Sequence, residues 1–155
     1  MTLCASSMIR FVSSGSAHIA CCCCALCPVQ VPGSYELPLG AKCLLSSTPV
    51  DAVITIGCLI KGETMHFEYI CEAVTQGVMR LGLDTGVPVL FGVLCCLTEE
   101  QAKSRAGLLP GKHNHGIEWA QSALQMGALS RTHIRGVGTA TGTIEPVASL
   151  SVPAA

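Results

Sequence analysis

The residues best suited to chemistry lie in Gly57-Cys58-Leu59-Ile60-Lys61-Gly62-Glu63-Thr64-Met65-His66. An apolar, β-branched run, Ala52-Val53-Ile54-Thr55-Ile56, ends at Gly57, and an amphipathic stretch begins at His66. A strand-to-helix junction of this kind exposes free N–H groups and the positive end of a helix dipole, which together favour an anion such as phosphate. Gly62 permits close backbone approach, and the Thr64 hydroxyl can cap the helix or bind a phosphate oxygen. An imidazole beside a helix N-terminus is favoured in its neutral form and can serve as a base or proton relay, the role open to His66. A surface histidine with a satisfied cap is the plain alternative, and the segment alone leaves both readings open.

Two further segments carry polar groups of the right kind. Val31-Pro32-Gly33-Ser34-Tyr35-Glu36-Leu37-Pro38 is a Pro-Gly turn leading into a helix, with Ser34, Tyr35 and Glu36 at its entry. Arg105 with Lys112-His113-Asn114-His115 gathers cationic and donor groups between two helices. Arginine suits phosphate through its bidentate fork, whereas a solvated basic turn is the competing account. His113-x-His115 has no carboxylate or third histidine at ligand spacing, so no metal is expected.

The elements that must position these residues alternate in type. His66 to Asp84 has Phe67, Ile70, Val74, Val78 and Leu81 at steps of three and four, with Glu68, Glu72, Gln76 and Arg80 on a polar face. Pro88 to Leu94 reads as a second buried strand. Thr98-Glu99-Glu100-Gln101 is a capping box opening a short helix through Arg105. A break at Gly107 to Gly111 precedes a helix from about Asn114 to Met126, and another helix is predicted over Leu37 to Leu45. Strand–helix–strand–helix order implies parallel pairing with right-handed crossovers and an α/β layered fold. Ligands in such folds sit beyond the carboxyl ends of the strands, where all three polar segments lead.

Composition narrows the setting. A chain of 155 residues is one domain's worth, half of it hydrophobic and only 12% charged, against about 25% in an ordinary soluble domain. So little polar surface favours faces covered by neighbouring subunits. A net charge of −1 gives no reason to expect nucleic acid or an anionic membrane as partner. The 11 cysteines include the adjacent run Cys21 to Cys24 and a lone Cys24-x-x-Cys27, with neither disulfide nor zinc spacing. They read as reduced, non-catalytic thiols in a reducing compartment, consistent with a cytoplasmic location.

Charge divides the chain. Residues 1–31 carry only Arg10, and 131–155 carry Arg131, Arg135 and Glu145. The apolar run Ile19 to Cys27 is shorter than the roughly 20 residues of a membrane-spanning helix. The first flank lacks the basic residues of a targeting segment and reads as sequence not selected for this fold. Thr132 to Ala155 has no helical period and reads as a tail. The expected organisation is therefore a flank at 1–28, a domain at 29–130 and a tail at 131–155.

The central segments, in their order, resemble the lumazine synthase family. The matching text is VPGSYELP, then DAVITIGCLIKGETMHFEYICEAVTQGVMRLGLDTGVPVLFGVL, then TEEQAKSRAG and HNHGIEWAQSALQMGAL. The IKGETMHFEY and HNHG forms look fungal. The resemblance implies a flavodoxin-like three-layer α/β/α fold with a short parallel sheet in the order 2-1-3-4. It also implies an enzyme without metal or organic cofactor. Such an enzyme condenses 5-amino-6-(D-ribitylamino)uracil with 3,4-dihydroxy-2-butanone 4-phosphate in riboflavin biosynthesis.

By that resemblance Ser34, Tyr35 and Glu36 contact the ribitylaminouracil, and Cys58, Leu59 and Ile60 lie along the pyrimidine edge. Glu63 and Thr64 hold the phosphate, and His66 transfers protons. A neighbouring subunit contributes Phe91 to the heterocycle and Arg105 to the phosphate, which implies a homo-oligomer, a pentamer in this family. His115 stands where bacterial relatives place a lysine that binds phosphate.

Residues 1–28 depart from the family pattern. The family's first strand lies inside its sheet and is followed by an aromatic turn and a long helix, neither of which is legible here. The strand and helix are therefore expected to be missing or replaced. An empty interior slot would leave backbone groups of its neighbours unpaired unless residues 1–28 supply a substitute. Two other readings accompany the enzyme: a truncated, inactive subunit partner of an intact copy, and a phosphate-binding module without chemistry.

Overall fold

A computed structural model describes residues 6–11, 27–47 and 49–134, with 6–11 and 27 described by their backbone alone. The described residues include four strands: β1 (Ser6–Phe11), β2 (Cys27–Val31), β3 (Ala52–Ile60) and β4 (Val89–Cys96). Four α-helices accompany them: α1 (Leu37–Ser47), α2 (His66–Thr85), α3 (Glu99–Arg105) and α4 (His115–His133). The strand order is β2-β1-β3-β4.

β3 and β4 pair in parallel from Val53↔Val89 to Ile60↔Cys96. β1 is antiparallel to both β2 and β3. β2, β3 and β4 therefore run the same way, and their carboxyl ends share one edge of the sheet. The interior slot that the sequence leaves doubtful is filled by Ser6–Phe11, in the reverse direction. The expected short parallel sheet is present in the common direction of β2, β3 and β4, and only the strand in the interior slot departs from it by running antiparallel. The helix and aromatic turn sought between the first two strands fall on residues 12–26, outside the described residues.

The two faces of the sheet are covered separately. Leu37 and Ala41 of α1, Val53 of β3, Val74 and Val78 of α2 and Val93 of β4 form one buried cluster, in which each leucine or valine contributes about 1.5–3 kcal/mol. On the other face Ala52 and Ile54 meet Ala123 of α4, with Ile56, Leu90 and Trp119 around them. Alternation along β3 sends neighbouring side chains to opposite helix layers, which gives the three-layer architecture. Thr55 is fully buried within this sheet, and its hydroxyl donates to the Leu90 carbonyl at 2.9 Å.

Helix ends follow local chemistry. α2 stops at Gly86, whose left-handed φ of 67° lets its N–H donate to the Gly82 carbonyl at 3.0 Å. Thr98 caps α3 by accepting from the Gln101 N–H at 3.2 Å, while Gln101 Oε1 accepts from the Leu97 N–H at 2.8 Å. Asn114 caps α4 by accepting from the Gly116 N–H at 2.8 Å. α4 continues through His133, beyond the helix end near Met126 that periodicity suggests. Arg131 there pairs with Asp51 at 2.9 Å, tying the end of α4 to the start of β3. The remainder of the expected tail, from 135, lies outside the described residues.

Candidate functional site

β3 delivers Gly57, Cys58, Leu59 and Ile60 to the carboxyl edge of the sheet, and the chain then turns into α2. Lys61 begins the turn, its N–H donating to the carbonyl of Cys96 at the end of β4 at 2.9 Å. Gly62, Glu63, Thr64 and His66 are all exposed. Met65 occupies the cap position of α2, and the Thr64 hydroxyl accepts a 3.4 Å bond from the His66 N–H. The threonine therefore stands one residue before the position a simple cap would require, with its oxygen still turned to the helix start. A Cβ placed on Gly62 would meet nothing within 4 Å. Gly62 therefore leaves the loop backbone open to approach from solvent.

β2 delivers the second segment to the same edge. Gly33 precedes a single 3₁₀ turn, Ser34–Glu36, which packs against α2 and β3. Ser34 is buried, whereas Tyr35 is 59% exposed. Tyr35 thus presents a large amphipathic side chain to solvent just beyond the carboxyl end of β2.

The third segment forms a cavity of its own. Phe91, Val93, Leu94 and Cys95 of the edge strand β4, with Arg105, His115 and Trp119, line a space of about 260 Å³. Arg105 Nη1 lies 3.4 Å from His115 Nε2. A guanidinium has no acceptor, so Nε2 accepts and the ring proton sits on Nδ1, which donates to Glu118 Oε2 at 2.8 Å. Glu118 Oε1 is 3.4 Å from His113 Nε2, so one carboxylate serves both histidines. Next to this cavity a second space of about 210 Å³ is lined by Ile56, Gly57, Cys58, Leu94, Ala106, Asn114 and Trp119.

The structure thus brings Phe91, Arg105 and His115 to one cavity and Cys58 to its neighbour. Leu59 packs on the α1–α2 side of the sheet, and Ile60 is 42% exposed at the strand end. Ser34, Tyr35, Glu36, Glu63, Thr64 and His66 line neither space. Sequence reasoning missed Glu118 and Trp119. Glu118 follows His115 by three residues and so shares its helix face, a signal available from spacing. Trp119 reaches both cavities because Gly92 lacks a side chain: a Cβ there would lie 2.9 Å from Trp119 Cε3.

The pKa shifts at this end of β4 come mainly from burial. Cys95 is exposed as a residue, yet partial desolvation of its thiol pushes it up to about 12, reinforced by the neighbouring Cys71 thiol. Burial likewise raises Cys71 and Cys96. These are weak nucleophiles near neutral pH, in keeping with non-catalytic cysteines. Among the described residues, no helix is long and apolar enough to cross a membrane.

Comparison with known proteins gives these features a context. The family model described as 6,7-dimethyl-8-ribityllumazine synthase matches residues 20–131. A Schizosaccharomyces pombe protein named 6,7-dimethyl-8-ribityllumazine synthase is 60% identical over 98 residues, covering 63% of this chain and 61% of the relative. A Pyricularia oryzae protein of the same name is 58% identical, covering 66% of this chain and 69% of the relative. One from Porphyromonas gingivalis is 51% identical, covering 66% and 62% respectively. The chain spans 61% of the length of the fission-yeast relative, less than two thirds. A match of this extent and identity shows that the chain belongs to the 6,7-dimethyl-8-ribityllumazine synthase family.

Proposed function

We propose that this chain is a lumazine synthase subunit, joining 5-amino-6-(D-ribitylamino)uracil to 3,4-dihydroxy-2-butanone 4-phosphate. The observation that carries the reading is the loop between β3 and α2. It holds the family's IKGETMH text, opens onto a helix N-terminus, and keeps unfilled space beside Gly62. In this reading the phosphate lies against the backbone N–H groups and hydroxyl of Glu63 and Thr64, where the helix end favours negative charge. His66, the first residue of α2, moves protons as the amine condenses with the ketone, phosphate leaves, and ring closure expels water. Cys58, Leu59 and Ile60 flank the pyrimidine, and Ser34, Tyr35 and Glu36 face the ribityl and uracil groups. No cofactor is required, because the chemistry is imine formation, elimination and cyclisation.

Phe91, Arg105 and His115 form a separate half-site on the edge strand, open along the side of β4 that has no strand neighbour among the described residues. Such an arrangement suits a site completed by a second copy, Phe91 meeting the heterocycle and Arg105 and His115 the phosphate. Exposed Tyr69, Met79 and Leu83 on α2 provide further apolar surface for assembly. The assembly is a homopentamer in the cytoplasm.

The experiment is lumazine formation by the purified chain, with light scattering of the active fraction. His66→Ala should lower turnover by about 10²–10⁴-fold with little loss of phosphate affinity. Unchanged turnover in the variant would remove His66 from the mechanism. A fully active monomer would exclude the shared site.

A further inference from the structure

We infer that Lys61 and Glu68 form a brace that positions the Gly62–Thr64 backbone for phosphate, an inference that rests on the function proposed above. Lys61 is the first residue beyond β3, and its backbone N–H is bound to the Cys96 carbonyl at the end of β4. Its Nζ contacts Glu68 Oε1 in the first turn of α2. One residue thus ties two strand ends to the helix, and the loop between is closed from outside by the ion pair. The loop has little else to fix it among the described residues. Its bonds are the 3.4 Å contact from the His66 N–H to Thr64 and a 3.3 Å bond from the Tyr69 N–H to the Met65 carbonyl. Both are long for N–H···O.

Glu68 depends on this partner. Its side chain is 34% exposed, but Oε2 is covered and has no hydrogen-bond partner among the described residues. The hydrogen bond from Lys61 holds the carboxyl below its usual range. Without Lys61 the Glu68 carboxylate is free to turn outward to water, and the link from the loop to the first turn of α2 is lost. Because the Lys61 charge is already engaged by Glu68, the brace assigns it to holding the loop and leaves the anion to the loop's own N–H groups.

The test separates bracing from direct phosphate binding by the sign of one effect. If Lys61 only braces, Lys61→Met and Glu68→Gln should each raise KM for the phosphorylated butanone about tenfold with kcat nearly unchanged. The double variant should be no worse than either single, and Lys61→Arg should stay near wild type. If Lys61 instead binds phosphate itself, Glu68→Gln would free it and lower KM, which overturns the brace. Unchanged KM in both singles overturns it equally. A wild-type chain that makes no lumazine removes the proposed function, and amide exchange then decides the brace. Lys61→Met and Glu68→Gln should speed exchange at Gly62 to His66 selectively, and unchanged exchange there sinks it.

Discussion

β3 has a neighbour on each side, and the two were recruited by different means. β4 arrives as a parallel strand after the α2 crossover and pairs along nearly the whole of β3, from Val53↔Val89 to Ile60↔Cys96. β1 comes from Ser6–Phe11, a stretch without alternation, and pairs antiparallel only from Ser7↔Ile56 to Phe11↔Ala52. Backbone pairing asks only for N–H and C=O groups, so a slot in a sheet can be filled by sequence with little else to recommend it. A ligand site asks for more. Running in reverse, β1 has Ser6 beside Val31 at the site edge and ends with Phe11 opposite Ala52 at the remote edge. The slot is occupied, yet the strand that occupies it ends away from the loop that holds His66. Filling a core and building a site are separate requirements, and this flank meets the first more clearly than the second.

The largest expected effect tests whether β1 holds its slot. Met8→Pro removes a ladder donor from an interior strand paired to Val29 and Thr55, and the acceptor left unpaired costs about 1–3 kcal/mol before the clash of the ring is added. Domain stability is itself only about 5–15 kcal/mol, so the denaturation midpoint and soluble yield should both fall sharply. A variant as stable as the parent would mean that β1 contributes nothing to the sheet, and the comparison with β4 would collapse.

A smaller effect belongs to the β4 side. Gly92→Ala would set a Cβ 2.7 Å from the Thr55 carbonyl oxygen and 2.9 Å from Trp119 Cε3. Overpacking of this kind costs about 1–3 kcal/mol. Trp119 is the chain's single tryptophan, so its emission should shift as the ring is displaced. Unaltered emission and stability would show that β4 and α4 do not meet as closely as described.

The smallest effect is a pH dependence beside the same cavity. With Cys95 raised to about 12, the folded protein keeps this thiol protonated where an unfolded chain, near 9, ionises it. Between those values the unfolded state holds fewer protons, so this thiol's contribution to stability is full below pH 9 and is lost as pH rises toward 12. Alkylation of Cys95 in the folded chain should keep accelerating beyond pH 9, whereas in denaturant it should level off near there. A folded-state plateau near 9 would show that the thiol of this exposed residue is hydrated like a free one and that Cys71 does not shield it.

Much of the fold was legible because its signals are local. The steps from Phe67 to Leu81 mark α2, the Thr98–Gln101 box marks α3, and the β-branched run before Gly57 marks β3, each set by neighbours a few residues apart. The motif residues from Gly57 to His66 were legible for the same reason, since a strand end, a glycine and a helix start follow one another in the chain. β1 was not, because a short strand in an interior slot is stabilised by pairing with Val29 and Thr55, partners that its own residues do not specify. The Arg105–His115–Glu118 chain, the lodging of Trp119 over Gly92 and the Lys61–Glu68 pair likewise became visible only in three dimensions. The sequence by itself determined which residue types stand at each strand end and helix start. Tertiary structure decided the direction of β1 and which side chains meet across elements, because those depend on contacts between segments that periodicity and capping do not encode.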